Sequence, residues 1–189
     1  KLSNIPTMQN FAVPTRDQVS ENNQGLFDNL QKSLGFVPNL YATFGYSNNG
    51  LGNYLTFQNA KSSLTKKERE VVNLVVSQVN DCRYCQAAHT AIGKMNGFTD
   101  EQILDIRAAN VSFDSKLAAL ATFTKETTEN RGRPSAKAVD AFFAAGYTNE
   151  NMVDAIMVIG DKIISNYLNN ITQTPIDFPA APVLETVHA

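Results

Sequence analysis

Sulfur nucleophile and imidazole are scarce in this chain, with two cysteines and two histidines among 189 residues. Two cysteines this close in sequence do not make a secreted disulfide framework, which needs more of them to brace a small core. Long apolar runs are missing too: none approaches the roughly 20 residues of a membrane span. There is no excess of one charge, because 16 basic residues face 18 acidic ones for a net charge of -2, and the basic residues are scattered among acids. A surface of that kind offers no field to attract phosphates. Neither nucleic acid nor membrane is therefore expected as a partner. Hydrophobic residues make up 43% and charged residues 18% of the chain, which suits a single domain over residues 1–189 that buries its own core without staples. No charged and then apolar leader pattern opens the sequence at Lys1, and the expected location is the cytoplasm.

The reactive residues that are present lie close together. Both cysteines fall in Cys82-Arg83-Tyr84-Cys85, and His89 follows four residues later. Thiols at this spacing can close a small disulfide ring, bind a soft metal, or attack a peroxide, and each use needs a thiolate tuned by its neighbours. In a reducing compartment, redox or metal chemistry fits better than a structural bridge.

The pattern along the chain predicts an all-α fold. Residues 1–15, with Pro6 and Pro14, read as an extended arm. Leu26, Phe27, Leu30 and Leu34 at helical spacing predict a helix over 19–34, stopped by Gly35. Short helices follow from Pro38-Asn39 and over 51–60. Thr65-Lys66-Lys67-Glu68 is a capping box that opens a helix through Val71, Val72, Leu74, Val75, Val76 and Val79. Those valines also suit a strand, but the run is long and does not alternate. Asn80-Asp81 breaks the pattern and caps a helix carrying Cys82 to Met95, which ends at Asn96-Gly97. Further helices are predicted over 99–107, 115–129, 135–145 and 148–169, and no segment reads as a strand. The aromatic residues Phe142, Phe143, Tyr147 and Tyr167 read as core or subunit contacts, and His188 as part of the chain end. The tail 174–189 holds Pro175, Pro179 and Pro182 with apolar Ile176, Phe178 and Val183. It reads as an extended segment lying on a surface, that of a partner subunit being one option.

A repeat is visible within the sequence. Gly97-Phe98-Thr99-Asp100-Glu101-Gln102-Ile103-Leu104-Asp105 recurs 49 residues later as Gly146-Tyr147-Thr148-Asn149-Glu150-Asn151-Met152-Val153-Asp154. At that offset Cys82 corresponds to Arg131, Cys85 to Pro134, His89 to Ala138 and Glu70 to Ala119. Two similar helical halves, about 64–110 and 113–170, would then share a scaffold while one of them holds the reactive groups.

Positions i, i+3 and i+7 of a helix fall in one narrow sector, so Cys82, Cys85 and His89 are expected on one face. The amide donors and positive dipole end of a helix start favour thiolate, and a histidine one turn on can take or return its proton. A thiolate attacking a hydroperoxide becomes a sulfenic acid, which a second thiol condenses to a disulfide. Turnover then requires an external reductant. Two rival readings stay open at this point: a structural zinc site of Cys82, Cys85, His89 and Glu70, and thiols that are packing residues or a sensor with little turnover. Of the nearby glutamates, Glu68 has a task in the capping box, and Glu70 has none that local sequence assigns.

Glu70, eleven intervening residues and then Cys82-x-x-Cys85-x-x-x-His89 resembles the motif of the alkyl hydroperoxidase D-like branch of the carboxymuconolactone decarboxylase family. Lys67-Glu68-Arg69-Glu70 before a valine-rich helix, Tyr84-Cys85, and the Gly-Phe-Thr-Asp-Glu start at Gly97 resemble it as well. Gly35-Phe36-Val37-Pro38-Asn39-Leu40 and Thr174-Pro175-Ile176-Asp177-Phe178-Pro179 resemble the longer peroxidase-related members. The resemblance implies an all-α helical bundle and a homo-oligomer, a trimer or hexamer. It implies antioxidant reduction of alkyl hydroperoxides through a redox-active disulfide, with no haem or other cofactor and a dithiol, lipoyl or thioredoxin-like reductant. It also implies the roles: Cys85 peroxidatic, Cys82 resolving and open to the reductant, His89 and Glu70 a proton relay. Some members carry a second histidine just before the peroxidatic cysteine, where this chain has Tyr84. The decarboxylase branch works on a lactone acid without paired thiols, and keeping both cysteines argues against that activity here.

Overall fold

The computed structural model describes residues 11–184, and the arm up to residue 10 and His188 lie outside the described residues. Among these, a short 3-10 turn, Arg16–Gln18, leads into nine α-helices, with no strand. They are α1 (Glu21–Leu34), α2 (Asn39–Phe44), α3 (Gly50–Gln58), α4 (Lys66–Val79), α5 (Arg83–Met95), α6 (Asp100–Arg107), α7 (Ser115–Glu129), α8 (Ala136–Ala144) and α9 (Asn149–Thr172).

Helix α4 is the axis of the bundle. It packs against α5, α6, α7 and α9, and Val71, Val72, Leu74, Val75 and Val76 have no exposed surface. A helix buried on nearly every side reads as a continuous apolar run, and this environment accommodates the valines that would otherwise suit a strand. The main core continues through Ile103, Ile106, Leu120, Phe123 and Phe142. Helices α1 to α3 build a smaller cluster around Phe27, Ala42 and Leu51. Helix α3 touches α9, and a third cluster holding Leu40, Cys82, Tyr84 and Cys85 carries the reactive segment.

Local capping chemistry sets the helix starts. Thr65, Thr99 and Thr148 each close a capping box, and the Asp114 carboxylate accepts from the amides of Lys116 and Leu117. Thr65 and Asp114 stand 49 residues apart, as do Thr99 and Thr148, so the offset seen in the sequence recurs in the helix boundaries. The glycines before the repeated motif, Gly97 and Gly146, adopt φ of 90° and 92°, a left-handed conformation that glycine reaches without a Cβ penalty.

Three details differ from the sequence reading. Helix α5 starts at Arg83, and Cys82 is its N-cap rather than its first residue. The reason is the tight reversal after α4: Asp81 takes a left-handed φ of 48° and the Cys82 amide donates to Ser77 O at 3.0 Å. Helix α9 runs three residues beyond the expected end and stops where Gln173 turns left-handed. It also leaves Val153, Met157, Ile164, Tyr167 and Ile171 exposed, so Tyr167 is not core, whereas Phe142 and Tyr147 are buried and Phe143 is at the surface.

The tail lies on this chain's own helices. The Asn39 amide donates to Asp177 Oδ2 at 2.7 Å and Asn39 Nδ2 donates to Pro175 O at 3.1 Å. Phe178 packs edge-on against Phe36 and Tyr84, with ring centroids 5.7 and 5.6 Å away. Farther along, the buried Arg107 guanidinium donates to Pro182 O at 2.7 Å and to the Gln78 and Gln86 side chains. The tail thereby closes one side of the reactive segment.

Candidate active site

Cys82 sits at the N-cap of α5, where its sulfur accepts the Cys85 backbone amide at 3.3 Å. This is the place a serine or aspartate side chain normally takes. The geometry turns the Cys82 sulfur over the helix start and leaves the residue wholly buried. Cys85, 3% exposed, faces a cavity of about 540 Å³. Cys82 is absent from the cavity wall. The resemblance led to the expectation of an open Cys82, and in the reduced protein it is the enclosed thiol of the pair. Its capping position is the physical cause.

The two thiols are tuned in opposite directions. Cys85 is lowered to about 6, chiefly by a hydrogen bond from Cys82, with Lys162, His89 and a contact with Asn166 adding to it against the cost of burial. Cys82 is pushed up by that same hydrogen bond to Cys85, and then by burial. One thiol thus stays protonated and donates to its ionised neighbour, the state in which Cys85 is a nucleophile near neutral pH.

Glu70, His89 and Lys162 form a buried row. Glu70 Oε2 lies 2.8 Å from His89 Nδ1, and Glu70 Oε1 accepts from Asn73 Nδ2 at 2.8 Å. His89 Nε2 lies 3.1 Å from Lys162 Nζ. Burial raises the Glu70 carboxyl, but His89, Asn73 and Lys162 together outweigh it and hold the group below its ordinary value. Lys162 is fixed by Asp161, whose Oδ2 is 3.5 Å away. Burial works against its charge, and Tyr54, Asp161, Cys85 and Tyr41 reverse that effect, so the amine is held above its ordinary value.

The structure brings Cys85, His89 and Glu70 together as the sequence reading expects, with Cys82 behind Cys85. Lys162 escaped that reading. Its one sequence signal is weak: Asp161-Lys162 interrupts the apolar run of α9 between Val158-Ile159 and Ile163-Ile164, and such a charged pair usually faces solvent. Tyr84, which stands where some relatives have histidine, points elsewhere. Its hydroxyl accepts the Leu40 amide at 3.3 Å, and burial and Asp177 both raise it. It forms cavity wall and a brace for the tail rather than part of a proton relay.

The cavity is walled by Leu40, Tyr41, Tyr54, Tyr84, Ile92 and Phe178, with Cys85, His89 and Lys162 among its polar groups. Arg69 and Asn73 also reach this wall, and a chamber of this size has room for an organic molecule larger than water or hydrogen peroxide. Against a zinc site, the Glu70 and Lys162 contacts already use both imidazole nitrogens, and among the described residues no three of His, Cys, Asp and Glu are grouped to hold a metal.

The comparisons with known proteins agree with this architecture. No curated protein matches the chain. Among solved structures, an uncharacterised peroxidase-related protein from Ralstonia eutropha JMP134, described as an alkylhydroperoxidase AhpD core, superposes with a TM-score of 0.79 at 20% identity, covering 89% of this chain and 92% of that one. An uncharacterised peroxidase-related protein from Silicibacter sp. TM1040 does so with a TM-score of 0.77 at 20% identity, over 93% and 94% of the two chains. The debrominase Bmp8 in complex with 2,3,4-tribromopyrrole has the same fold, with a TM-score of 0.74 at 14% identity over 90% and 93%. Residues 46–125, which hold α4, α5 and the reactive groups, match the family model of the carboxymuconolactone decarboxylase family. In that segment the chain is similar to the carboxymuconolactone decarboxylase family, and its fold is that of the alkylhydroperoxidase-like structures.

Proposed function

We propose that the protein is a thiol peroxidase that reduces alkyl hydroperoxides, with Cys85 as peroxidatic and Cys82 as resolving thiol. The observation that carries the reading is the asymmetric pair itself. A thiol lowered to about 6 opens onto an apolar chamber, and a protonated thiol stands directly behind it. Attack by the Cys85 thiolate on the terminal peroxide oxygen breaks the O–O bond and leaves a sulfenic acid and an alkoxide. Cys82 then condenses with the sulfenic acid, releasing water and forming the disulfide. The chamber's size and lining favour a peroxide with a bulky apolar substituent over hydrogen peroxide.

Because Cys82 is enclosed, reduction of the disulfide would proceed through the chamber. A slender dithiol such as a lipoyl group fits that route better than a folded thioredoxin-like partner. The debrominase of the same fold makes a halogenated pyrrole the natural control substrate, since two thiols can also deliver two electrons to a carbon–halogen bond.

The test is turnover of an alkyl hydroperoxide with a panel of dithiols. Wild type should form the alcohol, and Cys85→Ser should reduce the rate to background. Cys82→Ser should undergo a single oxidation and accumulate a sulfenic acid on Cys85. Lack of alcohol formation with every reductant, alongside debromination of the pyrrole, would replace the peroxidase reading with the dehalogenating one.

A further inference from the structure

We infer that Lys162, rather than His89, is the proton partner of Cys85, and that Glu70 and His89 are positioning residues that hold the Lys162 amine at the wall of the chamber Cys85 faces. Both nitrogens of the imidazole are already engaged. A carboxylate only accepts and an ammonium only donates. With Glu70 Oε2 at 2.8 Å from Nδ1 and Lys162 Nζ at 3.1 Å from Nε2, the ring donates at Nδ1 and accepts at Nε2. Neither nitrogen is left for a thiol. Lys162 has three N–H groups: one is used by His89, one points towards Asp161 Oδ2 at 3.5 Å, and a third remains. The Lys162 side chain is 3% exposed and lines the same chamber as Cys85.

The groups around Lys162 come from every neighbouring helix. Tyr41 of α2, Tyr54 of α3, Glu70 of α4, Cys82, Cys85 and His89 of α5, and Asp161 of α9 itself all act on this cluster. Lys162 has a larger electrostatic effect on Cys85 than His89 does. An amine so placed would exchange a proton with Cys85, giving a thiolate and ammonium in the resting site. During the reaction, which rests on the peroxidase reading, the thiolate attacks the terminal peroxide oxygen and forms the S–O bond as the O–O bond breaks. The departing alkoxide takes a proton from the Lys162 ammonium and leaves as the alcohol. The neutral amine regains its proton from the Cys85 thiol when the external dithiol restores the reduced pair. His89 keeps one tautomer throughout.

The test needs no peroxide, so it stands or falls apart from the peroxidase reading. The rate of Cys85 alkylation by iodoacetamide is followed against pH, with the modified residue identified by peptide mass spectrometry. Wild type should show a midpoint near pH 6. Lys162→Met should raise that midpoint by about one unit or more, which slows alkylation at pH 6 by about fivefold. His89→Asn should move it less. Should Lys162→Met strand Asp161 and fail to fold, the double variant Asp161→Asn with Lys162→Met removes the pair together and should show the same upward shift. A midpoint that stays near pH 6 without the lysine, or one that rises further in His89→Asn than in Lys162→Met, overturns the assignment.

Discussion

Two stretches of this molecule share two helix starts at a common offset and differ in chemistry. In the first, α4 to α6, lie Glu70, Cys82, Cys85 and His89; 49 residues later, Ala119 of α7, Arg131 and Pro134 of the loop after it, and Ala138 of α8 stand in their places. Two N-caps match in position, Thr65 with Asp114 and Thr99 with Thr148, and so do the left-handed glycines, whereas Cys82 caps α5 and the counterpart helix α8 starts later, from Ser135. Where the cap and turn residues recur the helix starts recur, and where the cysteines are replaced by Arg131 and Pro134 the helix begins later. The second stretch still contributes to the site, by length rather than by motif. Helix α6 ends at Arg107 after eight residues, whereas its counterpart α9 continues to Thr172, and that extension carries Asp161 and Lys162 to His89.

Several measurements can break or sharpen this comparison. The largest effect is expected at the thiols, where Cys85→Ser removes turnover and Pro134, 49 residues on, offers no thiol in its place. Next come core truncations at matched positions. Leu74→Ala and Phe123→Ala lie 49 residues apart, both in the main core and both nearly or fully buried. Each should cost about 2–5 kcal/mol in chemical denaturation. A much smaller cost at one of them would mean that the two halves do not share the core equally.

A pH effect should separate the halves more subtly. Glu70 is held below its ordinary value in the folded protein, so it contributes stability that is fully present above the unfolded carboxyl value of about 4.3 and lost as pH falls through the folded value. Replacing it by glutamine should flatten the acid limb of a stability profile. The corresponding Ala119 has no such limb to lose. The smallest effects belong to the caps: Thr99→Ala and Thr148→Ala should each cost about 1 kcal/mol, and by similar amounts, because both close the same kind of box. A clear inequality would show that one helix start is held mainly by tertiary contacts.

These pairs also mark what a reader of the sequence can see. Helix starts at Thr65, Thr99 and Thr148 are local events, encoded within four residues, and they stand where the sequence places them. The shared face of Cys85 and His89, one helical turn apart, is legible for the same reason, whereas Cys82 stands outside the helix as its N-cap. Glu70 is not legible in that way, because only the packing of α4 on α5 aims it at His89; motif resemblance singled it out. The capping role of Cys82 was hidden by Asn80-Asp81, which are better caps by type but lie in the reversal after α4. Lys162 was hidden more deeply. It lies 73 residues from His89, and its burial beside Asp161 is decided by the packing of α9 across the bundle. The tail's prolines announce an extended segment, whereas its docking on Asn39, Tyr84 and Arg107 depends on tertiary structure.

The central claim is that the paired thiols reduce a peroxide, and a single-turnover experiment tests it most directly. Fully reduced protein is mixed with one equivalent of cumene hydroperoxide without any reductant, then analysed for alcohol and by peptide mass spectrometry. The account predicts one alcohol per site and a Cys82 to Cys85 disulfide formed in equal amount. Unreacted peroxide with both thiols still free would contradict it.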